Sequence, residues 1–422
     1  MTPLPSPTPT AAPAHLPSHV IVLIQENRSV DNLFHVLPGV DTVNYGLNSH
    51  NQQVPLTPTS LASSYDPHHT HLAFVTEYNG GQMNGFDHEA ADCSSGCSSA
   101  PANVYTYVQA SDIANYLQLA SGFAFADHVL QPNQGPSYPA HFYLVAGQSG
   151  QPMAAAENAS NTQGGCDAPD GTTLSYVDLN DPFPGLPETT KPGACVDFPT
   201  IFDELDAAKV TWRYYSPYQD TLWNAPNGIK HLYESPEFKT NVVYPEGTIL
   251  TDIANGTLPG VSYVVPFKAY SDHPQIAGTN GPNWVATVTN AVAASPYWKS
   301  TVVFVLWDDW GGWYDHYVPH PPSGYPSDPY EFGMRVPLIA VSPYVRQRGL
   351  IDHTQRAATS VLGFIETVFR VPALTYVDAG GDNLMGLFDF NAASALTYTK
   401  LDTHGFVPYH MPSAPRLRPR GR

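Results

Sequence analysis

Residues 19–24, His-Val-Ile-Val-Leu-Ile, form an uninterrupted apolar run that leads into the polar stretch Gln25-Glu26-Asn27-Arg28-Ser29. A continuous run of this length is typical of a strand buried on both faces of a parallel sheet. Residues 301–307, Thr-Val-Val-Phe-Val-Leu-Trp, repeat the pattern and are followed by Asp308 and Asp309. The two runs therefore predict two buried strands, each with oxygen-bearing side chains directly after its end.

Helical segments alternate with further apolar strands along the chain. Residues 200–208 have helical spacing and begin with a threonine placed as an N-terminal cap. Residues 284–294 and 357–369 also have helical spacing, and the other strand candidates are residues 210–215, 261–265 and 336–341. This alternation predicts an α/β fold, a three-layer sandwich with a mostly parallel central sheet. Three segments rich in Pro, Gly and Asn are interpreted as long loop insertions over the site: residues 40–110, 150–198 and 214–260.

The predicted organisation is a single domain between two tails. Residues 1–17 are rich in Pro and Thr, which is typical of a linker that follows a removed export signal. Residues 18–395 are expected to form one domain, followed by a C-terminal tail at residues 396–422. No stretch approaches the roughly 20 apolar residues of a membrane span, so no integral membrane segment is expected.

The cysteines also favour export. The chain has four of them, Cys93, Cys97, Cys166 and Cys195, without a C-x-x-C pair. An even number in loop-like segments suggests disulfides, and these persist outside the cytoplasm. Of the three pairings, Cys93–Cys97 with Cys166–Cys195 is favoured because each closes a local loop, and four independent thiols are the alternative. We therefore expect a bacterial protein that is secreted, periplasmic or bound to the cell surface.

The net charge is −19, from 18 Lys plus Arg against 37 Asp plus Glu. Such a chain repels nucleic acid and anionic membrane surfaces, so neither is an expected partner. A phosphorylated substrate meets the same repulsion unless a metal ion or histidines offset it locally. A phosphate-binding site in a protein of this composition therefore needs a metal ion or histidines that offset the repulsion.

The two strand ends predict a metal site. Glu26, Asn27, Asp308 and Asp309 supply three carboxylates and an amide at one edge of the sheet, where open α/β folds bind ligands. Carboxylates brought together repel one another unless a cation lies among them. Any one of these residues alone is equally a helix cap or a turn residue. The Asp-Asp pair is followed by Trp-Gly-Gly, a sequence that allows the tight turn needed to aim both carboxylates at one point.

A nucleophile and phosphate-binding groups are expected near this metal. Ser137 lies in the rigid turn Gln134-Gly-Pro-Ser-Tyr-Pro139, and a bound metal activates serine, which is otherwise a poor nucleophile. A surface turn is the alternative. His88, His231 and His273 lie in polar loop segments and are candidates for holding the phosphoryl group or protonating the leaving oxygen. His68, His69 and His71 are interpreted as flexible-loop residues, and Asp315 and His316 as partners that support Asp308 and Asp309.

Taken together, these segments resemble a bacterial phosphoesterase family that contains phosphatidylcholine-type phospholipases C and respiratory-burst-inhibiting acid phosphatases. The resemblance extends from about residue 19 to about residue 391. It covers, in order, residues 25–29, 81–86, 135–137, 271–274, 307–312, 314–316, 335–337 and the helical segment 359–366.

The resemblance implies an alkaline-phosphatase-like fold and a role for each candidate residue. It implies one divalent metal held by Glu26, Asn27, Asp308 and Asp309, and a phosphorylated nucleophile at Ser137. It implies phosphate-binding histidines at the three positions named above. Two positions depart from the family pattern: residue 84 is Asn where an aspartate is expected, and residue 309 is Asp where acid phosphatases carry glutamate.

The predicted function is metal-dependent hydrolysis of phosphate esters through a phosphoserine intermediate, with a preference for mildly acidic pH. The enzyme would be a phosphoric monoester hydrolase or a phospholipase C acting on a phosphate mono- or diester, including a phospholipid headgroup. Oxygen ligands favour Ca²⁺, Mg²⁺ or Mn²⁺, with Zn²⁺ as the alternative. A secreted metal-binding or adhesion protein on a catalytically degenerate fold is the alternative outside enzymes.

Overall fold

The computed structural model describes the chain in ranges separated by short gaps. The described residues are 16–89, 91–93, 101–149, 153–154, 165–176, 189–192, 195–219, 221–275, 279–321, 332–375, 378, 381–392 and 395–409. The statements below refer to these residues. Residues 1–15 and 410–422, most of the predicted linker and about half of the predicted tail, lie outside them, and so does Cys97, the predicted partner of Cys93.

Among the described residues, eight strands form the central sheet. In chain order they are β1 His19–Gln25, β2 Ala124–Ala126, β3 Trp212–Tyr215, β4 Val242–Val243, β5 Val261–Val264, β6 Thr301–Trp307, β7 Leu338–Val341 and β8 Leu350–Asp352. The order across the sheet is β4-β3-β5-β1-β6-β7-β2-β8. Within it, β7 runs antiparallel to both its neighbours, and the other pairs are parallel. The predicted mostly parallel sheet is confirmed.

The two strands predicted from the longest apolar runs are buried along nearly all of their length. They lie side by side at the centre of the sheet with His19 paired to Thr301 and Gln25 paired to Trp307. The continuous apolar pattern arises because both faces of these strands pack against other layers, so no position is left for a polar side chain. The register has a direct consequence: the residues that follow the two strands emerge at the same edge.

Helices flank the sheet in two groups. The described helices are α1 Val30–Phe34, α2 His71–Tyr78, α3 Ala114–Gly122, α4 Ser137–Ala146, α5 Ile201–Ala207, α6 Ala225–Gly228, α7 Lys230–Glu234, α8 Phe238–Asn241, α9 Thr248–Asn255, α10 Gly281–Ala294 and α11 Ser360–Phe369. Helices α3 and α9 pack on α10, whereas α5, α6 and α11 pack on α4. Together with the sheet they make the predicted three-layer sandwich. Thr200 caps α5 through a capping box with Asp203, as the sequence predicts.

The long segments between these elements form short two- and three-stranded ribbons. They pair residues 45–47 with 53–55, 57–59 with 106–108, 65–67 with 91–93, 129–130 with 356–357, and 153–154 and 189–192 with 173–176. Cys166 and Cys195 form a disulfide, which confirms that predicted pair. No described helix is long and apolar enough to cross a membrane.

Candidate active site

Four oxygen-bearing side chains meet where β1 and β6 end. Because Gln25 is paired with Trp307, Glu26 and Asp308 follow as neighbours, and the Asp308 amide donates to the Gln25 carbonyl at 3.0 Å. The Asn27 amide donates to Asp308 Oδ1 at 3.0 Å, and Asn27 Nδ2 donates to Asp309 Oδ1 at 2.9 Å. Glu26, Asn27, Asp308 and Asp309 are all buried. The structure therefore brings together the four side chains that the sequence nominated as metal ligands.

Two residues with a left-handed backbone allow the segments that follow β1 and β6 to come close together. Asn27 has φ +62° and Gly311 has φ +64°, both in the left-handed region. A Cβ at Gly311 would lie 2.4 Å from the Asn27 carbonyl oxygen, so only glycine fits there. The Gly311 amide also donates to Asp309 Oδ1 at 2.8 Å. The glycine after the Asp-Asp pair thus lets the two strand ends touch, as the turn prediction required.

Ser137 is the first residue of α4, after Pro136, and it faces the same point. Its hydroxyl donates to Asp309 Oδ2 at 2.9 Å, and its side chain is 9% exposed. A helix N-terminus carries partial positive charge and free amide groups, which suit an anionic group arriving there. The predicted nucleophile therefore lies beside a predicted metal ligand.

His141 lies one helical turn after Ser137 and joins this group. Its Nε2 is 3.1 Å from Glu26 Oε1 and 3.6 Å from Asp308 Oδ2. The sequence interpretation missed it, although the i, i+4 spacing from Ser137 in a helix that starts at the serine is a usable signal. The six side chains Glu26, Asn27, Ser137, His141, Asp308 and Asp309 are called the strand-end cluster below.

The strand-end cluster fits a metal ion. Among the described residues, Glu26 Oε2, Asn27 Oδ1 and Asp308 Oδ2 are buried without a hydrogen-bond partner. A buried oxygen with no partner costs free energy, and a cation satisfies several at once. One ligand atom each from Glu26, His141 and Asp308 lie within 4.8 Å of one another. These are the open donors that a metal site needs.

The pKa values of this cluster indicate buried acids that repel one another. Burial and the Asp308 charge raise the pKa of Glu26 well above its usual value. The same two causes raise the pKa of Asp309 to about 8. Burial lowers the pKa of His141 to about 4, so its imidazole is neutral near pH 7 despite the carboxylates around it. The raised pKa values mean that these buried acids hold protons more readily than usual, and a bound cation would remove the repulsion that raises them.

Two more histidines border the cluster, and one of them corrects an expectation. His69 Nε2 lies 2.9 Å from Asn27 Nδ2, and its Nδ1 lies 2.9 Å from the Pro67 carbonyl. Its ring centroid is 6.4 Å from that of His273, a predicted site residue. The segment around His69 is therefore docked on the site, and its interpretation as a flexible loop was wrong. His71 also holds this segment in place, since its Nδ1 lies 2.8 Å from the Gln134 carbonyl in the Ser137 turn.

Burial lowers the pKa of His273. At His69 burial acts the same way, but the charges of Asp309 and Asp66 outweigh it, so the pKa of His69 is raised. His273 is fixed to the end of β1, because the Glu26 amide donates to the Ser271 carbonyl at 2.8 Å and the His273 amide donates to Ser271 Oγ. The two imidazoles thus border the site from different segments of the chain.

Other predicted site residues are not brought to the cluster by any described contact. His88 is exposed at the end of a 3₁₀ turn. His231 is in α7, with Nδ1 2.5 Å from Asp197 Oδ1, and its Nε2 joins α7 to α5 through a 3.2 Å contact with Asp203 Oδ1. Asn84, the residue that departs from the family pattern, bonds Asn79 and Asn51.

The expected supporting role of Asp315 and His316 also needs correction. Asp315 binds Arg335 through two oxygens, and His316 Nδ1 lies 2.6 Å from Asp31 Oδ2. The turn at Gly311 and Gly312, both with positive φ, carries the chain away from Asp308 before Asp315 is reached. The two residues therefore belong to a second buried network rather than to the strand-end cluster.

The chain is similar in sequence to bacterial phospholipases C. The chain is 26% identical over 458 residues to a non-hemolytic phospholipase C of Burkholderia pseudomallei, with 92% of this chain and 61% of that protein aligned. It is 26% identical over 450 residues to a hemolytic phospholipase C of Pseudomonas aeruginosa, with 89% and 56% aligned. The chain thus spans less than two thirds of the length of these relatives.

Among solved structures, a protein in the alkaline phosphatase superfamily from Vibrio parahaemolyticus aligns with a TM-score of 0.40 and 11% identity, over 87% of this chain and 69% of that one. The sequence match is more specific than this structural likeness. A family model described as the phosphoesterase family matches residues 18–372, and the chain therefore belongs to the phosphoesterase family.

Proposed function

We propose that this protein is a metal-dependent phosphoesterase that works through a phosphoserine intermediate on Ser137. The observation that carries the proposal is the 2.9 Å contact between Ser137 Oγ and Asp309 Oδ2, inside a buried cluster in which three other oxygens lack partners. A hydroxyl held beside a strand-end cation site is placed for attack on a phosphoryl group. Family membership and relatives named phospholipase C support the same reaction class.

Glu26, Asn27, Asp308 and Asp309 are the proposed metal ligands. Their oxygens alone favour Mg²⁺, Ca²⁺ or Mn²⁺, and the imidazole of His141 beside two of them adds a nitrogen donor that suits Zn²⁺. When bound, a divalent cation supplies the positive charge that the phosphoryl oxygens and the Ser137 oxygen require. The identity of the metal therefore depends on whether His141 is one of its ligands.

In the first step Ser137 Oγ attacks phosphorus, and the bond from phosphorus to the leaving alcohol breaks. The proton of the Ser137 hydroxyl passes to Asp309 Oδ2, which already accepts its hydrogen bond. The N-terminal amide groups of α4 face the phosphoryl oxygens, where negative charge develops. An imidazole at the rim, His69 or His273, donates the proton that the leaving oxygen takes up.

In the second step water attacks the same phosphorus and gives a proton to the rim imidazole. The bond from phosphorus to Ser137 Oγ breaks, and the serine oxygen takes back its proton from Asp309. Both steps use the same charged groups, because each passes through a similar distribution of charge on the phosphoryl oxygens. The products are an alcohol and a phosphate monoester from a diester, or an alcohol and inorganic phosphate from a monoester.

The nucleophile is tested by replacing Ser137 with alanine. We expect Ser137→Ala to lower kcat about 1,000-fold or more, and to abolish the phosphoryl-enzyme that mass spectrometry detects after acid quenching. The matched control is Ser360→Ala, because Ser360 is also a buried first residue of a ten-residue helix. Full hydrolytic rate in Ser137→Ala with its metal still bound would remove the serine from the mechanism.

The substrate class is proposed to be a phosphodiester of the phospholipid type, because the relatives carry phospholipase C names. Trp223 lies 6.2 Å from His273 between ring centroids and keeps a small exposed fraction. An aromatic face beside His273 suits a cationic headgroup. Turnover of p-nitrophenyl phosphorylcholine above that of p-nitrophenyl phosphate would support a phospholipase C, and the reverse order would support a phosphomonoesterase.

We also propose that the protein works outside the cytoplasm. The Cys166–Cys195 disulfide supports this location, because such bonds persist in oxidising compartments. Fractionation of the source cells, followed by immunodetection, measures the location directly. Recovery of the protein only from the cytoplasmic fraction would contradict the proposal.

A further inference from the structure

A second group of metal-binding side chains lies at the same edge of the sheet, away from the strand-end cluster. Asp127 and His128 directly follow β2, and His353 directly follows β8. These two strands are parallel neighbours, with Ala126 paired to Asp352, so their ends emerge side by side. As in the strand-end cluster, the donors directly follow two neighbouring parallel strands, but here they include two imidazoles.

The donor atoms of these residues converge. His353 Nδ1 lies 2.9 Å from both carboxylate oxygens of Asp127, and His128 Nε2 lies 4.0 Å from Asp127 Oδ1. One ligand atom from each of the three residues lie within 4.8 Å of one another. Asp41 adds a fourth donor, because its Oδ2 lies 2.9 Å from His128 Nε2. In a tetrahedral zinc site with bonds of about 2.0–2.1 Å, neighbouring donors lie roughly 3.3 Å apart.

Arg335 Nη1 lies 3.7 Å from Asp41 Oδ2, but the charge of Asp127 is poorly compensated by the chain. The Asp127 side chain is fully buried. Its carboxylate accepts a hydrogen bond from the Asp41 amide at 2.8 Å. The nearby guanidinium of Arg335 donates to the backbone carbonyls of Asp41 and Asp127, at 3.0 and 3.3 Å, rather than to the Asp127 carboxylate. Arg335 therefore fixes the two chain segments that carry donors and leaves the Asp127 charge facing the imidazoles.

We propose that Asp127, His128 and His353, completed by Asp41, form a second metal site that takes Zn²⁺ or a similar transition-metal ion. Two imidazole nitrogens and carboxylate oxygens form the donor set that zinc prefers, whereas Mg²⁺ and Ca²⁺ prefer oxygen alone. Four protein ligands close the coordination shell, which is typical of a structural site. The ion would tie the short edge strand β8 to β2 and to the segment at Asp41. This proposal does not depend on the proposed hydrolytic function.

The test counts zinc in a background where the strand-end cluster is disabled. Metal-free protein carrying Glu26→Gln and Asp308→Asn is equilibrated with Zn²⁺ and a competing chelator, and bound zinc is measured by mass spectrometry. We expect one equivalent to remain bound. Adding His353→Gln should weaken its affinity about 100-fold, at least as much as losing a supporting partner does. His353 suits this test because its side chain is 53% exposed, so the substitution leaves packing intact.

His404→Gln is the matched control, since His404 is an exposed histidine with Nδ1 3.4 Å from Asp402. In this control zinc binding should be unchanged. A second readout is Co²⁺, whose visible bands report four-coordinate geometry with nitrogen donors, and these bands should disappear in His128→Gln. Zinc should also raise Tm by about 2 °C or more in the background protein and not after His353→Gln.

Two results would overturn the proposal. One is the absence of bound zinc in the Glu26→Gln, Asp308→Asn background at micromolar free metal. The other is a zinc affinity that His353→Gln and His128→Gln leave unchanged. Because the readout is bound metal and not turnover, neither result bears on whether Ser137 is the nucleophile.

Discussion

Two groups of buried carboxylates lie at the same edge of the central sheet, and they differ in whether an arginine pairs with them. In the strand-end cluster, Glu26, Asp308 and Asp309 are buried beside one neutral imidazole, that of His141. In the second group, which we call the arginine network, Arg335 is fully buried beside Asp31, Asp315 and His316. One group lacks an internal cation, and the other is built around one.

The arginine network satisfies its charges through several directed contacts. Arg335 Nε donates to Asp315 Oδ1 at 2.8 Å, and Nη2 donates to Asp315 Oδ2 at 3.2 Å. Its guanidinium also lies 3.4 Å from Asp31 and 5.1 Å from the centre of the Tyr317 ring. A bidentate arginine with an aromatic face is the geometry in which burial of an ion pair is best compensated.

The difference indicates which buried acids hold the fold together and which are kept for a ligand. Carboxylates with an arginine partner join segments that are far apart in sequence, such as residues 31, 315 and 335. Carboxylates without one retain free oxygen atoms, and they repel one another until a cation offsets their charge. Buried carboxylates therefore stabilise the fold where an arginine pairs with them, and they are available to a ligand where none does.

The largest expected effect is that of removing the internal cation. Arg335→Met leaves Asp31 and Asp315 buried and unpaired, so we expect the free energy of unfolding to fall by about 3–5 kcal/mol. Urea-induced unfolding followed by circular dichroism measures it. The control is Arg346→Met, because Arg346 is 49% exposed and lies 3.6 Å from Asp352, a pair that contributes about 0–1 kcal/mol. Equal effects of the two substitutions would show that the network is not held by its arginine.

A change of intermediate size, in the opposite direction, is expected in the strand-end cluster. Asp308→Asn keeps an oxygen for the Asn27 amide but removes one of the charges that repel one another. We expect the metal-free protein to become more stable by about 1–2 kcal/mol, while its metal binding and hydrolysis are lost. Unfolding in the presence of a chelator measures this, with the exposed Asp402→Asn as control. A destabilised metal-free variant would contradict the view that this cluster is strained by its own charge.

The smallest expected effect is a pH dependence that arises from His316. Burial lowers the pKa of His316, but the hydrogen bond to Asp31 and the charges of Asp31 and Asp315 outweigh burial, so the pKa is raised above its usual 6.5. Protonated His316 therefore stabilises the fold fully below about pH 6.5, and this contribution is lost as the pH rises through the folded pKa. We expect His316→Gln to flatten the decline of stability above pH 6.5, as measured by urea unfolding at a series of pH values. An unchanged pH profile, matching that of His404→Gln, would assign the effect to another group.

The parts of the fold that the sequence predicted are those with a local cause. The apolar runs of β1 and β6 give the central strands, because a strand buried on both faces tolerates no polar position. The residues after each run then become the candidate ligands, since parallel neighbours end at one edge. The helix beginning at Ser137 also contains the signal for His141, which lies four residues further along.

The parts that the sequence did not predict depend on contacts between distant segments. His69 reaches Asn27 across 42 residues, through a segment whose composition resembles an ordinary loop. His88 and His231 lie in equally polar surroundings, yet the described contacts leave them away from the cluster. Spacing and composition do not distinguish these cases, because the docking of a loop is decided by the surface it meets.

The sequence by itself determined the α/β class, the two central strands and the oxygen-bearing side chains at their ends, because local pattern and strand direction suffice for each. Only the tertiary structure decided which histidines border the site and which acidic side chains form an ion pair with an arginine. Asp308 and Asp315 are seven residues apart, yet the turn at Gly311 assigns the first to the open cluster and the second to Arg335. The physical reason is that a buried carboxylate takes its role from the charges packed around it, and those charges come from the whole chain.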